Sequence, residues 1–144
     1  MATPSDSQTV EPQVADAEPA ATTPFERLGG HPAIAAIVNR FYDLMEGDPA
    51  YAGLRAMHAP DLNPMRQSLA GFLAGWSGGP RDWFEANPGR CMMSVHKPFD
   101  ITHELAGQWV DAMTRAIADA VPNDPQMRDA MTAVLEQMAR GMGR

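Results

Sequence analysis

The segment CMMSVHKPFDIT, residues 91–102, sets His96 at the end of an apolar, methionine-rich run and two residues before a proline. An imidazole there has two uses: a core side chain that only satisfies its hydrogen bonds, or a neutral nitrogen ligand for a metal. Elsewhere, Tyr42, His58 and Trp109 carry groups that can donate a hydrogen bond or take a proton. On an apolar helix stripe a tyrosine or tryptophan also serves simply as bulk with one polar tip. The only cysteine, Cys91, cannot form an internal disulfide or build a thiolate zinc site, and nothing near it points to a reactive thiol. His31, before a helix-opening proline, and His103, at a helix start, are expected to be exposed and structural.

These residues need a scaffold, and 144 residues allow one core of useful size. Hydrophobic residues make up 44% and charged residues 20%, the balance of a globular protein. A net charge of −7 argues against a nucleic-acid surface, whose affinity comes largely from basic residues meeting phosphates. No apolar run is long enough to span a bilayer, and the N-terminus lacks the basic start and greasy centre of a secretory signal, so a cytoplasmic protein without membrane contact is expected. Residues 1–24 hold four prolines, four acids, no base and no aromatic. Such a segment buries too little to offset its ordering entropy, and a disordered tail is expected, followed by one domain over 25–144.

Spacing in that domain is helical. Ile34, Ile37, Val38, Phe41, Tyr42 and Met45 fall on one face after Pro32, and Gly47-Asp48-Pro49 ends the run. A second stripe, with Asn63 as cap and Pro64 at the first position, carries Met65, Leu69, Phe72, Leu73 and Trp76 up to SGGP. A third runs from near Thr102 through Leu105, Trp109, Ala112, Met113, Ala116 and Ile117 to Val121-Pro122. The last opens at Asp124-Pro125 and carries Met127, Met131, Val134, Leu135, Met138 and Met142. No stretch alternates with the period of a strand, so the expected class is all-α with four principal helices. Residues 78–99 break the pattern yet hold Trp83, Phe84 and the approach to His96; so long an irregular stretch in a compact domain points to function.

In order, RFYDLM, LRAMHAPDL, FLAGWSGGPRDWFE, SVHKPFDIT and QWVDAM resemble the group II truncated hemoglobins over roughly residues 25–140. His-x-Pro-Phe standing thirteen residues before a tryptophan is the most specific part of the likeness. The resemblance implies a two-over-two helical sandwich around heme b, with His96 as the proximal ligand whose Nε2 binds the iron. Pro98 would end the short proximal helix, with Phe99 and Ile101 turned against the porphyrin. On the distal side the family matches Tyr42 and Trp109, and with one gap His58, to groups beside the bound gas; beside a proline in a connector, His58 is equally readable as a solvated turn residue. Partial negative charge on that gas is held by donors aimed at it in a dry pocket.

Met65 falls where oxygen-carrying globins hold a histidine and group II members commonly a small residue; a methionine there narrows entry and donates nothing. Leu69, one turn on, would cover the ligand, while Phe72, Met113 and Val134 are expected to line the pocket and Trp76 and Trp83 to pack. Group II members often place arginines just before the proximal histidine, where this chain has Met93, Ser94 and Val95. Lys97, Arg90 and Arg66 are the remaining candidates for the heme propionates.

The function implied is binding of O2, NO, CO or peroxide at ferrous or ferric iron in a monomer or weak homodimer. Slow release would suit nitric oxide dioxygenation or peroxidase-like chemistry, served by a reductase the sequence does not name, better than transport. Whether the protein turns over at all stays open. The alternative is a gas or redox sensor or interaction module; against it, the chain runs from its last helix straight to ARGMGR with no output domain. A heme-free bundle is the third possibility.

Overall fold

The structure is a computed structural model describing residues 22–89, 96 and 99–143. The expected disordered tail up to residue 21 lies outside the described residues. So do Arg90, Cys91, Met93, Ser94, Val95, Lys97 and Pro98, with the expectations about the thiol, two of the propionate partners and the end of the proximal helix.

Among the described residues every regular element is helical. Helix α1 is Pro24–Leu28, α2 His31–Gly47, α3 Ala52–Ala56, α4 Asn63–Trp76, α5 Asp82–Ala86, α6 His103–Ala120 and α7 Pro125–Met142, with a 3₁₀ turn over Pro49–Tyr51. The ends follow local chemistry. Thr23 and Glu26 form a reciprocal capping box at α1, so the helical region takes in Thr23 and Pro24 from the segment read as tail. The Thr102 hydroxyl caps α6 through Leu105 N–H, and the Asp124 carboxylate caps α7 through Met127 N–H. At α4 the cap differs from expectation: Asn63 is already helical, Leu62 precedes it without a side-chain cap, and Asp61 Oδ1 accepts the Asn63 N–H at 3.0 Å. A carboxylate two residues upstream satisfies the amide that an Asn63 cap would have left to others.

The α2 face read from spacing is the centre of the core. Ile34, Ile37, Val38, Phe41, Tyr42 and Met45 are buried, packed against Ala112, Met113, Ala116 and Ile117 of α6. Two alanines at this crossing let α2 approach α6 closely. Helix α2 also packs on α4, and α6 on α7, giving two layered helix pairs. Arg27 ties α1 to the start of α7 by two hydrogen bonds to Asp124, 2.7 and 2.8 Å.

The irregular stretch after Gly78 contains a short helix, α5, which lies against α4. Gly75 makes this possible: a Cβ there would sit 2.7 Å from the Phe84 ring. Phe84 thereby reaches Phe72, ring centroids 5.5 Å apart, and Trp83 stands edge-on to Phe72 at 5.4 Å. The two aromatic residues of α5 close one end of the molecule's cavity-bearing side.

Candidate functional site

The helix layers leave a cavity of about 550 Å³, within the range of sites that enclose a small molecule or cofactor. Helix α2 supplies Tyr42 to its wall, and α3 with the following turn supplies Leu54, Met57 and His58. From α4 come Met65, Ser68, Leu69, Phe72 and Leu73. His96, Phe99 and Ile101 enter from the segment before α6, and Leu105, Ala106 and Trp109 from α6 itself. Helix α7 closes the wall with Leu135, Met138, Ala139 and Met142.

Most of the residues singled out by type and spacing therefore converge. Tyr42, His58, Trp109, His96, Met65, Leu69, Phe72, Phe99 and Ile101 all face one space. Met65 and Phe99, 38% and 48% exposed, form its rim. Met113 and Val134, expected on the wall, lie elsewhere. Met113 is fully buried in the core cluster and is not part of the wall. Val134 is 45% exposed, because α7 turns Met131, Leu135, Met138, Ala139 and Met142 inward at helical spacing, leaving Val134 on its flank. Trp83, expected only to pack, reaches the wall while its Nε1–H donates to Ser68 Oγ at 3.1 Å. Met57, Ser68, Asn87 and the Met138–Met142 pair were not legible in advance as wall residues; the helical stripe of α7 was the available signal for the last two.

Arg66 is committed elsewhere. Its guanidinium donates to Asn39 O, Asn39 Oδ1 and Asp43 Oδ1 at 3.2, 3.1 and 2.9 Å, tying α4 to the polar face of α2. His31 and His103 are exposed, as expected.

The polar groups of the cavity differ in how they are satisfied. Tyr42 is 2% exposed, and its hydroxyl has no hydrogen-bond partner among the described residues. Burial pushes its phenol up to about 12, partly offset by Arg66, whose guanidinium lies 5.6 Å from the ring centre; the hydroxyl remains a donor at any ordinary pH. The Trp109 ring stands edge-on to Phe41 at 5.5 Å, and its N–H likewise has no partner among the described residues. Two donors without acceptors on an apolar wall are costly unless something in the cavity receives them. His58 is anchored: its Nδ1 lies 2.9 Å from Leu54 O. His96 is in a helical turn whose carbonyl accepts from Phe99 N–H at 2.9 Å.

An apolar cavity with an imidazole on one element and uncommitted donors on two others matches a known family. The model of the bacterial-like globins covers residues 23–143. The chain belongs to the bacterial-like globins. This globin superposes on the cold-adapted truncated hemoglobin of the Antarctic marine bacterium Pseudoalteromonas haloplanktis TAC125 with a TM-score of 0.81 and 34% identity, over 85% of this chain and 98% of the other. The group II 2-on-2 hemoglobin of the plant pathogen Agrobacterium tumefaciens gives a TM-score of 0.82 at 28% identity, over 85% and 95%. Among proteins compared by sequence, the group 1 truncated hemoglobin LI410 of Chlamydomonas moewusii is 29% identical over 116 residues, 76% of this chain. The globin spans 62% of that algal protein's length.

Heme is the family's cofactor, and the residues present fit it. The wall is predominantly apolar and carries the His96 imidazole, a residue type that can ligate iron, together with the Tyr42 and Trp109 donors.

Proposed function

We propose that this globin holds a diatomic ligand tightly and serves oxidative chemistry, such as nitric oxide dioxygenation or a peroxidase-like reaction, in preference to transport. Heme, when bound, supplies an iron that takes up dioxygen, nitric oxide, carbon monoxide or peroxide. His96 would hold it through Nε2, and the apolar wall residues Leu69, Phe72, Phe99 and Ile101 would pack against it and keep water out. Met65 at the rim narrows the way in without donating a hydrogen bond.

The observation that carries the reading is the pair of donors, Tyr42 O–H and Trp109 N–H, which line one cavity and have no acceptor among the described residues. A ligand with negative charge on its outer atom satisfies both. Each bond to a charged acceptor contributes about 1.5–3 kcal/mol, so together they slow ligand loss by roughly a hundredfold or more. Such retention suits a reaction that consumes the ligand in place.

Ligand release from the reduced protein tests this. Trp109→Phe and Tyr42→Phe are each expected to speed dioxygen loss by about tenfold or more, with carbon monoxide loss much less affected because that ligand carries little charge. Unchanged dioxygen release in both variants would overturn the distal assignment. His96→Ala is expected to abolish the ordinary heme spectrum; full heme uptake and gas affinity in that variant would overturn the proximal one.

A further inference from the structure

His58 is a titratable side chain of the cavity wall whose hydrogen-bonding sense the backbone dictates. A carbonyl oxygen has only lone pairs, so the 2.9 Å contact between His58 Nδ1 and Leu54 O requires the proton to be on Nδ1. In the neutral ring, Nε2 then carries a lone pair and no proton. Nε2 has no hydrogen-bond partner among the described residues.

The Leu54 carbonyl is itself held in place. Leu54 N–H donates to Gln108 Oε1 at 3.0 Å, which ties α3 to α6 one residue from Trp109. Met57 N–H also donates to Leu54 O at 3.1 Å. On the far side of the turn, Arg55 donates to Ala59 O and Pro60 O at 3.0 and 2.9 Å, closing the loop that carries His58. The imidazole thus leans on a residue that α6 positions, in a loop the Arg55 guanidinium staples.

The charged and titratable groups around it do not favour a second proton. Arg55 of α3 and His96 across the cavity both act to keep the ring neutral, and burial does so more strongly than either; the Leu54 carbonyl opposes them. From α2 the facing group is the Tyr42 phenol, ring centroids 6.1 Å apart, itself a donor. Glu46 is the nearby acid, and it stands 3.7 Å from Arg55, with no hydrogen bond to His58.

Resting on the heme reading above, we propose that His58 is the cavity's hydrogen-bond and proton acceptor, complementary to the donors Tyr42 and Trp109, and that it selects for ligands that enter carrying a proton. Hydrogen peroxide and hydrogen cyanide are of this class; dioxygen and carbon monoxide are not. As such a ligand settles, its H–O or H–C bond breaks, the proton goes to the Nε2 lone pair, and the bonding electrons stay with the hydroperoxide or cyanide anion, which Tyr42 and Trp109 then hold. A histidine acting as a further donor would favour dioxygen instead, so the tautomer decides which ligands the wall prefers.

Two measurements test this. Nitrogen NMR of the purified protein at pH 7, with His58 assigned by its loss in His58→Phe, is expected to show Nδ1 protonated and Nε2 as a bare lone-pair nitrogen. A protonated Nε2, whether in the other tautomer or in imidazolium, would overturn the proposal without any reference to bound heme. In the heme-loaded ferric protein, His58→Phe is expected to slow cyanide association, which proceeds from hydrogen cyanide at pH 7, by about tenfold or more, the scale of a positioned base. Carbon monoxide association with the reduced variant is expected to stay within about threefold of wild type, since that ligand brings no proton to accept. Equal cyanide rates in both proteins would sink the acceptor role alone. Failure of both proteins to bind either ligand would instead defeat the heme reading, leaving the NMR result to decide His58.

Discussion

Tyr42 shows how much a single residue's surroundings decide. Its phenol lies in the apolar interior, and the charged form is disfavoured there more than Arg66 can compensate, so its pKa stands at about 12 against an ordinary value of 10.0. A raised pKa means the folded state prefers the protonated phenol. The contribution is therefore fully present below about pH 10 and is lost as pH climbs through 12. Two pH units of difference correspond to about 3 kcal/mol, so unfolding monitored between pH 9 and 12 is expected to show a fall of that order that Tyr42→Phe abolishes. The same ionisation would remove a donor from the cavity, and a phenolate band for this residue well below pH 12 would contradict its burial.

At the scale of elements, the site depends on how closely short helices approach long ones. Helix α5 rests on α4 at Gly75, where a methyl group would come within 2.7 Å of the Phe84 ring and 3.3 Å of Pro80 O. Gly75→Ala is expected to push α5 outward and cost about 1–3 kcal/mol, the usual penalty of overpacking. Thermal or denaturant unfolding measures the cost. Trp83 should report the displacement too, since losing its 3.1 Å bond to Ser68 Oγ would alter its fluorescence. A second element-level device lies at the other end of the core. Tyr51, buried in the 3₁₀ turn, donates to Asp111 and accepts from Arg115 at 2.9 Å, and Arg115 also meets Asp48 at 2.9 Å. These bonds lock the turn between α2 and α3 to α6, fixing the start of the segment that carries His58.

Taken whole, the molecule has a core completed by its cofactor. Met65 and Phe99 are substantially exposed at the cavity rim, and a hydrophobic wall of this kind gains stability when a flat apolar group covers it. Heme binding should therefore stabilise the fold with the logarithm of its excess over the dissociation constant, by about 2.7 kcal/mol at a hundredfold excess, and raise the melting temperature accordingly. Calorimetry with and without heme is expected to show this increment in wild type and a much smaller one in His96→Ala. No described helix is long and apolar enough to cross a membrane.

What the sequence determined by itself was whatever repeats within an element. Helical spacing with Pro and Gly stops gave the long helices and most of their buried faces in advance, because these depend on residues three and four apart, whereas the Thr102 and Asp124 caps were met only in the structure. The resemblance carried in ordered motifs then named His96, Tyr42, His58 and Trp109 in advance, although they lie on four separate segments. Tertiary structure decided which side of a packed helix meets the cavity and which meets another helix. Met113 and Trp109 share α6, yet one is buried in the core cluster and the other lines the open space. Val134 and Leu135 are neighbours, and a rotation of roughly 100° per residue separates an exposed flank from the wall. It also decided that Arg66 pairs with Asp43 and that His58 Nδ1–H donates to Leu54 O, since a polar group's partner is set by what lies within 3 Å after folding.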